Sequence, residues 1–213
     1  MKRLAIIGAS HAGVSCADKL RQYGFKGKII LIDRLPGPPV QRPPLSKKLF
    51  QSNNANFEAF YLRSKEFFVK EDIELRTKTN VTSIDQKTKI ISLENGDEII
   101  YDILILAIGA DAKLPDFVYE QASNIHVLRD TQDALKLKKT AIKSDKAVII
   151  GGGFIGLEVA SSMRIAGLEV DIVESELRLL PRVSSPQISE FFRLLHNKKG
   201  VSIHLGEVVT EII

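Results

Sequence analysis

The segment GGGFIG, residues 151–156, restricts the fold more than any other feature of the sequence. It follows the apolar run AVII, residues 147–150, and it opens a stretch with helical spacing that continues to Ala166. A further apolar run, residues 169–174, ends in the acid Glu174. Strand, glycine turn, helix, strand and terminal acid are together typical of a βαβ unit that binds a dinucleotide.

The three glycines of this G-x-G-x-x-G pattern have separate physical tasks. Gly151 allows a tight turn, Gly153 lets the backbone approach a pyrophosphate, and Gly156 lets the helix pack closely on the strand. The N–H groups at the start of the helix attract the phosphates, so Phe154 and Ile155 are also candidate binding residues. A glycine-rich turn that only packs is the alternative, and the distal acid in full βαβ context favours dinucleotide binding.

The acid Glu174 bears on the choice of cofactor. A carboxylate at this position accepts hydrogen bonds from a ribose 2′-hydroxyl and repels a 2′-phosphate, so the sequence favours NAD over NADP. Arg178 and Arg182 follow closely enough to leave this preference open, and Arg182 is itself a candidate cofactor-binding residue.

A related pattern occurs about 140 residues earlier in the chain. The run RLAII, residues 3–7, precedes GASHAG, and KIILID, residues 28–33, ends in an acid. A small serine replaces the middle glycine and still lets phosphate approach. The spacing is too long for a solenoid repeat, so we predict two related nucleotide-binding units. The candidate cofactor-binding residues here are Gly8, Ala9, Ser10, His11, Ala12, Gly13, Asp33 and Arg34, with His11 expected in the turn rather than in catalysis.

Between the two glycine turns, the patterns predict a separate set of elements. Four segments from residue 81 onward, VTSID, KIISL, EIIYD and ILILAIGA, read as strands, with Asn95-Gly96 as a hairpin turn. Residues 57 to 72 are predicted to contain helical turns. The segment LRDTQDALKLKKTAIKSD predicts a helix capped by Asp130 or Thr131, whose lysines form a solvated face rather than a binding patch.

The segment QRPPLSKKLF, residues 41–50, places two cations on a rigid turn. Proline fixes φ and removes a donor, so Pro43 and Pro44 hold local geometry rather than extend a helix or a strand. Arg42 and Lys47 on this turn predict an anion nearby.

Composition limits the functional classes. The 213 residues carry a formal charge of +4 and are 44% hydrophobic. This is typical of a globular enzyme and too weakly basic to indicate nucleic-acid binding. Cys16 is the only cysteine, which excludes an internal disulfide and a CxxC pair. No apolar run approaches the ~18 residues of a membrane span. We therefore expect a cytoplasmic protein without nucleic-acid partner, membrane span or metal site.

Several motifs in one order give the chain a family resemblance. With GASHAGVSCADKLR, QRPPLSKKL, VTSID, ILILAIGA, VLRDTQDA and VIIGGGFIGLEVA, it resembles the FAD-dependent pyridine nucleotide-disulfide oxidoreductases. Within them it is similar to the ferredoxin and rubredoxin reductases of the putidaredoxin reductase type, to which apoptosis-inducing factor is related. The resemblance covers essentially the whole chain. A disulfide-reductase function is disfavoured because Cys16 stands alone in the first helix.

The resemblance implies cofactors, a reaction and a partner. Residues 1–112 would bind FAD and residues 113–213 NAD(H). Hydride would pass from NADH to the flavin, and electrons would then pass to a small ferredoxin- or rubredoxin-type protein. Catalytic roles beside the flavin fall to Lys47 and Glu158, which we expect to form an ion pair that bridges the two units. The resemblance assigns FAD contacts to Arg42, Lys47, Val81, Ala107, Gly109 and Arg129, with Ile108 in place of the family's usual threonine.

The resemblance also implies that the chain is the N-terminal half of such a reductase and ends within a strand of the second unit. The expected fold class is α/β, with two Rossmann-like three-layer dinucleotide-binding units, the second incomplete, and a β-meander in the first. We expect the chain alone to hold FAD poorly, to have little or no activity, and to expose apolar surface that favours aggregation or dimerisation. The alternative function is a non-catalytic dinucleotide-binding fragment or interaction module.

Overall fold

The computed structural model describes residues 1–48, 58–115 and 124–212. It divides into two compact units. Within the described ranges, the first contains residues 1–41 and 58–110, and the second contains residues 42–48, 111–115 and 124–212. The chain crosses from the first unit to the second after residue 110, two residues before the expected boundary. The assignment of FAD to one domain and NAD to the other stays a prediction.

The first unit contains a parallel sheet and an antiparallel one. The parallel sheet has the strand order β3-β2-β1-β7, and the antiparallel sheet has the order β4-β5-β6. The elements are β1 (Arg3–Ile7), α1 (His11–Gln22), β2 (Lys28–Ile32), α2 (Lys65–Lys70), β3 (Ile73–Arg76), β4 (Val81–Asp85), β5 (Ile90–Leu93), β6 (Glu98–Ile100) and β7 (Ile103–Leu106).

Alternation along the two central strands explains the layers of the first unit. In β1, Leu4 and Ile6 face a core that α1 and α2 close, while Ala5 faces the antiparallel sheet. Ile29 and Leu31 of β2 join the helical side, and Ile30 the other. Both strands are therefore apolar on both faces, which is why they read as continuous apolar runs. The first unit has three layers, as expected.

The predicted meander and its hairpin turn are present. The amide of Leu93 donates to the carbonyl of Asp97 at 2.9 Å, and Gly96 has φ +87° in the turn between β5 and β6. The last of the four predicted strands, β7, lies in the parallel sheet beside β1. The sequence patterns did not predict β3, because IELR offers only two alternating apolar positions.

The second unit repeats the parallel arrangement with three strands in the order β10-β9-β8. Its elements are a 3-10 turn (Pro43–Ser46), α3 (Thr131–Ala141), β8 (Lys146–Ile150), α4 (Phe154–Ile165), β9 (Glu169–Glu174), α5 (Pro186–Lys198) and β10 (Val201–Leu205). Asp130 caps α3, and its carboxylate accepts hydrogen bonds from the amides of Gln132 and Asp133. Of the two candidate caps, the structure selects Asp130.

One face of the second sheet is covered and the other is exposed. Val170 and Ile172 of β9 pack in the core that the helices close. On the opposite face, Val148 is 59% exposed and Ile150 49% exposed, so the described chain supplies two layers here. Two parallel sheets, each with a glycine turn after a strand, confirm the expected α/β fold class with two Rossmann-like units. Among the described residues, the second unit lacks the third layer that was expected of it.

The expectation that the chain ends within a strand is wrong for the described residues. Residues 207–212 have no regular secondary structure, and the last strand, β10, ends at Leu205. The amide of Glu207 still donates to the carbonyl of Glu174 at 3.2 Å, but a strand needs a continued row of such bonds to its neighbour.

None of the helices in the described part of the chain has the length and apolarity to cross a membrane. Nor do its His, Cys, Asp and Glu residues form a group of three or more that could hold a metal ion.

Candidate dinucleotide-binding sites

The glycine turn of the second unit has a backbone that suits a phosphate. Gly151 has φ +107°, a left-handed conformation that side chains disfavour, and its amide donates to the carbonyl of Val173 at 2.8 Å. A methyl group at Gly156 would lie 2.1 Å from the carbonyl oxygen of Gly151. At Gly153 a methyl group would meet no atom within 4 Å. The turn therefore leaves open space directly before α4, where first-turn N–H groups lack intrahelical acceptors.

The turn of the first unit has the same construction. Gly8 has φ +105°, and a methyl group there would lie 2.2 Å from the carbonyl oxygen of Ala107. A methyl group at Gly13 would lie 1.8 Å from the carbonyl oxygen of Gly8. Ser10 is the N-cap residue of α1, and its side chain makes no capping hydrogen bond in the described structure. His11 begins α1 with an exposed side chain. The Gly8 and Gly13 positions thus match Gly151 and Gly156.

The acid that ends the second strand holds the turn in each unit. A carboxylate oxygen of Asp33 accepts a hydrogen bond from the amide of Ala9 at 2.6 Å. A carboxylate oxygen of Glu174 accepts one from the amide of Gly152, also at 2.6 Å. Ala9 and Gly152 are both the second residue of their turns. The sequence placed the acids near the ribose but did not predict these bonds, because spacing alone gives no side-chain direction.

The remaining oxygen of each acid also has a backbone donor. In the first unit, Asp33 accepts from the amide of Leu35 at 2.8 Å, and in the second, Glu174 accepts from the amide of Glu176 at 2.9 Å. Glu174 is only 8% exposed. Oε1 of Glu174 also accepts from the hydroxyl of Ser175 at 3.3 Å, so the further lone pair of this acid is on Oε2. Both oxygens of Asp33 and Oε2 of Glu174 can therefore still accept a hydroxyl hydrogen bond.

The two arginines that follow Glu174 differ in their environments. Arg178 directs its guanidinium into its own loop, where it donates to the carbonyls of Pro181 at 2.6 Å and Ser184 at 2.8 Å. Arg182 has an exposed side chain. The contacts of Arg178 are structural, which weakens its candidacy as a ligand for a 2′-phosphate and leaves Arg182 as the candidate.

The residues predicted to contact FAD fall in both units. Val81, Ala107 and Gly109 lie in the first unit, where Ala107 hydrogen bonds to the end of β1 and Gly109 has φ +68°. Arg42 and Arg129 lie in the second. The backbone amide of Arg129 donates to the carboxylate of Asp133 at 2.9 Å. Binding roles for these five residues stay predictions.

The Lys47–Glu158 ion pair is present. The lysine Nζ lies 2.7 Å from Oε1 of Glu158, and the two side chains are 48% and 30% exposed. The expectation that this pair bridges the two units is wrong, because both residues belong to the second unit. The physical reason is that the proline turn packs against α4: Ser162 Oγ donates to the carbonyl of Ser46 at 2.7 Å.

Sequence reasoning missed the two serines at this contact. Ser46 Oγ donates to Oε2 of Glu158 at 2.5 Å, so two successive residues of the turn hold the two carboxylate oxygens. Ser162 stands four residues after Glu158 and therefore on the same face of α4. Their signals were a serine directly before Lys47 and a serine at helical spacing from Glu158.

The chain is similar in sequence to known proteins. The family model described as pyridine nucleotide-disulphide oxidoreductase matches residues 2–213. The rubredoxin-NAD(+) reductase of Pseudomonas putida is 37% identical over 209 residues, which cover 98% of this chain and 54% of that protein. The chain spans about half the length of the curated relatives it matches.

Two solved structures are also similar to this chain over its whole length. A ferredoxin reductase from Rhodopseudomonas palustris matches with a TM-score of 0.95 and 36% identity, covering 100% of this chain and 52% of that one. The covalent putidaredoxin reductase–putidaredoxin complex matches with a TM-score of 0.94 and 32% identity, covering 100% of this chain and 51% of the other.

Proposed function

The chain belongs to the pyridine nucleotide-disulphide oxidoreductase family, and from this we propose that it carries the FAD- and NADH-binding part of a reductase for a small electron-carrier protein. The relatives include a rubredoxin-NAD(+) reductase and a reductase in complex with putidaredoxin. We infer a ferredoxin- or rubredoxin-type partner for the full-length protein from these likenesses.

The observation that carries the proposal is the duplication of one binding device in a single chain. Each unit has a left-handed glycine after a strand, a helix that begins at the turn, and an acid bonded to the second turn residue. One such device would suit any dinucleotide-binding protein. Two suit an enzyme that brings two dinucleotides together for hydride transfer.

The residues around each turn have definite tasks in this proposal. N–H groups at the start of α1 and α4 bind the pyrophosphates of FAD and NADH respectively. Asp33 and Glu174 accept hydrogen bonds from ribose hydroxyls while they keep the turns in place. The domain assignment follows, with FAD on residues 1–112 and NADH on residues 113–213. Arg34, Arg42, Val81, Ala107, Gly109, Arg129 and Arg182 are proposed as further contacts.

The Lys47–Glu158 pair supplies a fixed cation. When bound, FAD would accept hydride from NADH and release single electrons to the partner. The Lys47 ammonium lies 2.7 Å from the Glu158 carboxylate and also donates to the carbonyl of Pro43 at 3.4 Å, which leaves a third N–H for a further acceptor. A positioned ammonium of this kind stabilises negative charge that develops on a neighbouring group during reaction.

We expect Lys47→Ala to lower the rate constant of NADH-driven flavin reduction in the full-length protein by about tenfold, equivalent to about 1.4 kcal/mol of transition-state stabilisation. Stopped-flow absorbance under anaerobic conditions measures this rate. Lys48→Ala is the matched control, since it removes the neighbouring charge and should leave the rate unchanged. An unaltered rate in Lys47→Ala would remove the catalytic role of this lysine.

Purified protein distinguishes the proposed reductase from a non-catalytic dinucleotide-binding module. Full-length protein is expected to be yellow, with flavin absorbance near 450 nm that NADH bleaches without oxygen. The 213-residue chain alone is expected to lose FAD on dialysis, because it spans about half the length of its curated relatives and we propose that the other half of such a protein contributes to FAD binding. Colourless full-length protein that still binds NADH would favour the non-catalytic module.

A further inference from the structure

The ion pair between Lys47 and Glu158 does not by itself explain how the carboxylate is held. The two side chains are 48% and 30% exposed, and partners this open to water contribute little and stay mobile. A flexible lysine side chain has many rotamers, so it cannot define the position of the acid that it contacts. A rigid second partner is needed on the other carboxylate oxygen.

Ser46 is that partner. It is 5% exposed, and its hydroxyl donates to Oε2 of Glu158 at 2.5 Å, a short bond typical of a hydroxyl on a carboxylate. Its backbone is fixed from both sides. Pro43 and Pro44 lock φ in the 3-10 turn, and the carbonyl of Ser46 accepts a hydrogen bond from Ser162.

The anchor on the helix is equally buried. Ser162 is 2% exposed and lies one helical turn after Glu158 on α4. The side chain of Ser46 therefore contacts Glu158, while its main chain contacts Ser162. Ser46 thus connects the proline turn to two successive helical turns of α4. The two contacts have separate consequences: the main-chain bond holds the turn, and the side-chain bond fixes the carboxylate.

We propose that Ser46 is the positioning residue of the Lys47–Glu158 pair: its hydroxyl fixes Oε2 of Glu158, and Oε1 is then presented to the Lys47 ammonium. The role in catalysis rests on the proposed function, while the positioning itself rests on the contacts. The structural alternative is that the Ser46 hydroxyl only satisfies a buried polar contact and adds stability.

Kinetics of full-length holoprotein separate these two roles. Ser46→Ala is expected to lower the limiting rate of NADH-driven flavin reduction by about fivefold with little change in the NADH concentration for half-saturation, because the lost contact acts on the reacting geometry. Ser46→Thr keeps the hydroxyl and should restore most of the rate. In the Glu158→Ala background, which removes the acceptor of the Ser46 hydroxyl, Ser46→Ala should have no further effect, since residues that act through one another are not additive.

The variant Ser144→Ala controls for the general effect of losing a serine hydroxyl. Ser144 Oγ donates to the carbonyl of Thr140 at 2.9 Å in the same unit, so Ser144→Ala removes a comparable bond far along the sequence from the pair. It should leave the rate unchanged. A normal rate in Ser46→Ala, or a full additive loss in the double variant, would overturn the proposal.

Unfolding of the apoprotein provides a second readout that needs no cofactor. A double-mutant cycle with Ser46→Ala and Glu158→Ala should show coupling of about fivefold in the folding equilibrium constant. Additive effects in this cycle would contradict the positioning contact, whatever the reaction. If wild-type full-length protein does not reduce flavin with NADH, the proposed function fails, and coupling in the cycle would still support the contact. Coupling with an unaltered flavin-reduction rate in Ser46→Ala would identify the bond as structural and overturn the positioning role.

Discussion

Gly156→Ala is expected to lower the free energy of unfolding by about 3 kcal/mol, the upper part of the range for overpacking a rigid core. The added methyl group would lie 2.1 Å from the carbonyl oxygen of Gly151, far inside van der Waals contact. That oxygen is backbone in a fixed turn, so it cannot move aside as a flexible side chain would. Thermal unfolding should show a fall in Tm of about 10 °C for a chain of this size.

Gly153→Ala is the matched control for this prediction. It adds the same methyl group two residues after Gly151, at φ −80°, where no atom lies within 4 Å. Its Tm should stay close to wild type, while its affinity for NADH should fall by about tenfold because the methyl group occupies the approach to the helix N-terminus. Equal losses of stability in the two variants would contradict the separate tasks assigned to these glycines.

Glu174→Ala is expected to remove the preference of full-length protein for NADH over NADPH. The wild-type protein should prefer NADH by at least about tenfold in kcat/KM, a ~1.4 kcal/mol difference, because the carboxylate repels a 2′-phosphate. The variant should also lose about 2 kcal/mol of stability, since the amides of Gly152 and Glu176 lose their acceptor. Steady-state kinetics with both cofactors and chemical denaturation measure the two effects.

Glu176→Ala tests whether charge alone explains such a result. Glu176 is exposed and lies two residues after Glu174, so this substitution removes a neighbouring negative charge. The backbone amide of residue 176, which donates a hydrogen bond to Glu174, is kept. Its stability and its cofactor preference should stay near wild type. Equal wild-type kcat/KM values for NADH and NADPH would refute the role of Glu174. If Glu176→Ala also loses the preference for NADH, the summed negative charge near the turn, and not Glu174 in particular, discriminates between the two cofactors.

Sequence patterns predicted those elements whose local signals are strong. β1 and β2 are apolar on both faces and read as continuous runs, and the G-x-G-x-x-G spacing located the second turn. Asp130 was one of two candidate caps for α3 because caps have a short list of residue types. In contrast, β3, α5 and β10 were not predicted. The sequence does contain signals for α5, whose apolar residues have helical spacing, and for β10, whose segment VSIHL alternates, and these signals were overlooked. β3 has few apolar positions and depends on pairing with β2 for its conformation.

Local sequence patterns did not predict the side-chain contacts between distant segments. The spacing to Asp33 and Glu174 suggested ribose ligands, but the bonds of these acids to Ala9 and Gly152 follow from how adjacent strands end at one edge of a sheet. The hydrogen bond from Ser46 to Glu158 joins residues 112 positions apart. The family resemblance paired Lys47 with Glu158, but no local pattern links the Ser46 hydroxyl to this acid.

The sequence by itself determined that this protein has two parallel α/β units with glycine turns, because strand alternation, helical spacing and left-handed glycines are local properties of the chain. Tertiary structure alone decided that the proline turn belongs to the second unit, since residues 42–48 lie between two segments of the first unit in sequence but pack against α4. Burial of the hydroxyls of Ser46 and Ser162 at that contact costs desolvation free energy, which their hydrogen bonds to Glu158 and to the Ser46 carbonyl offset. These bonds join distant segments, so no window of neighbouring residues encodes them.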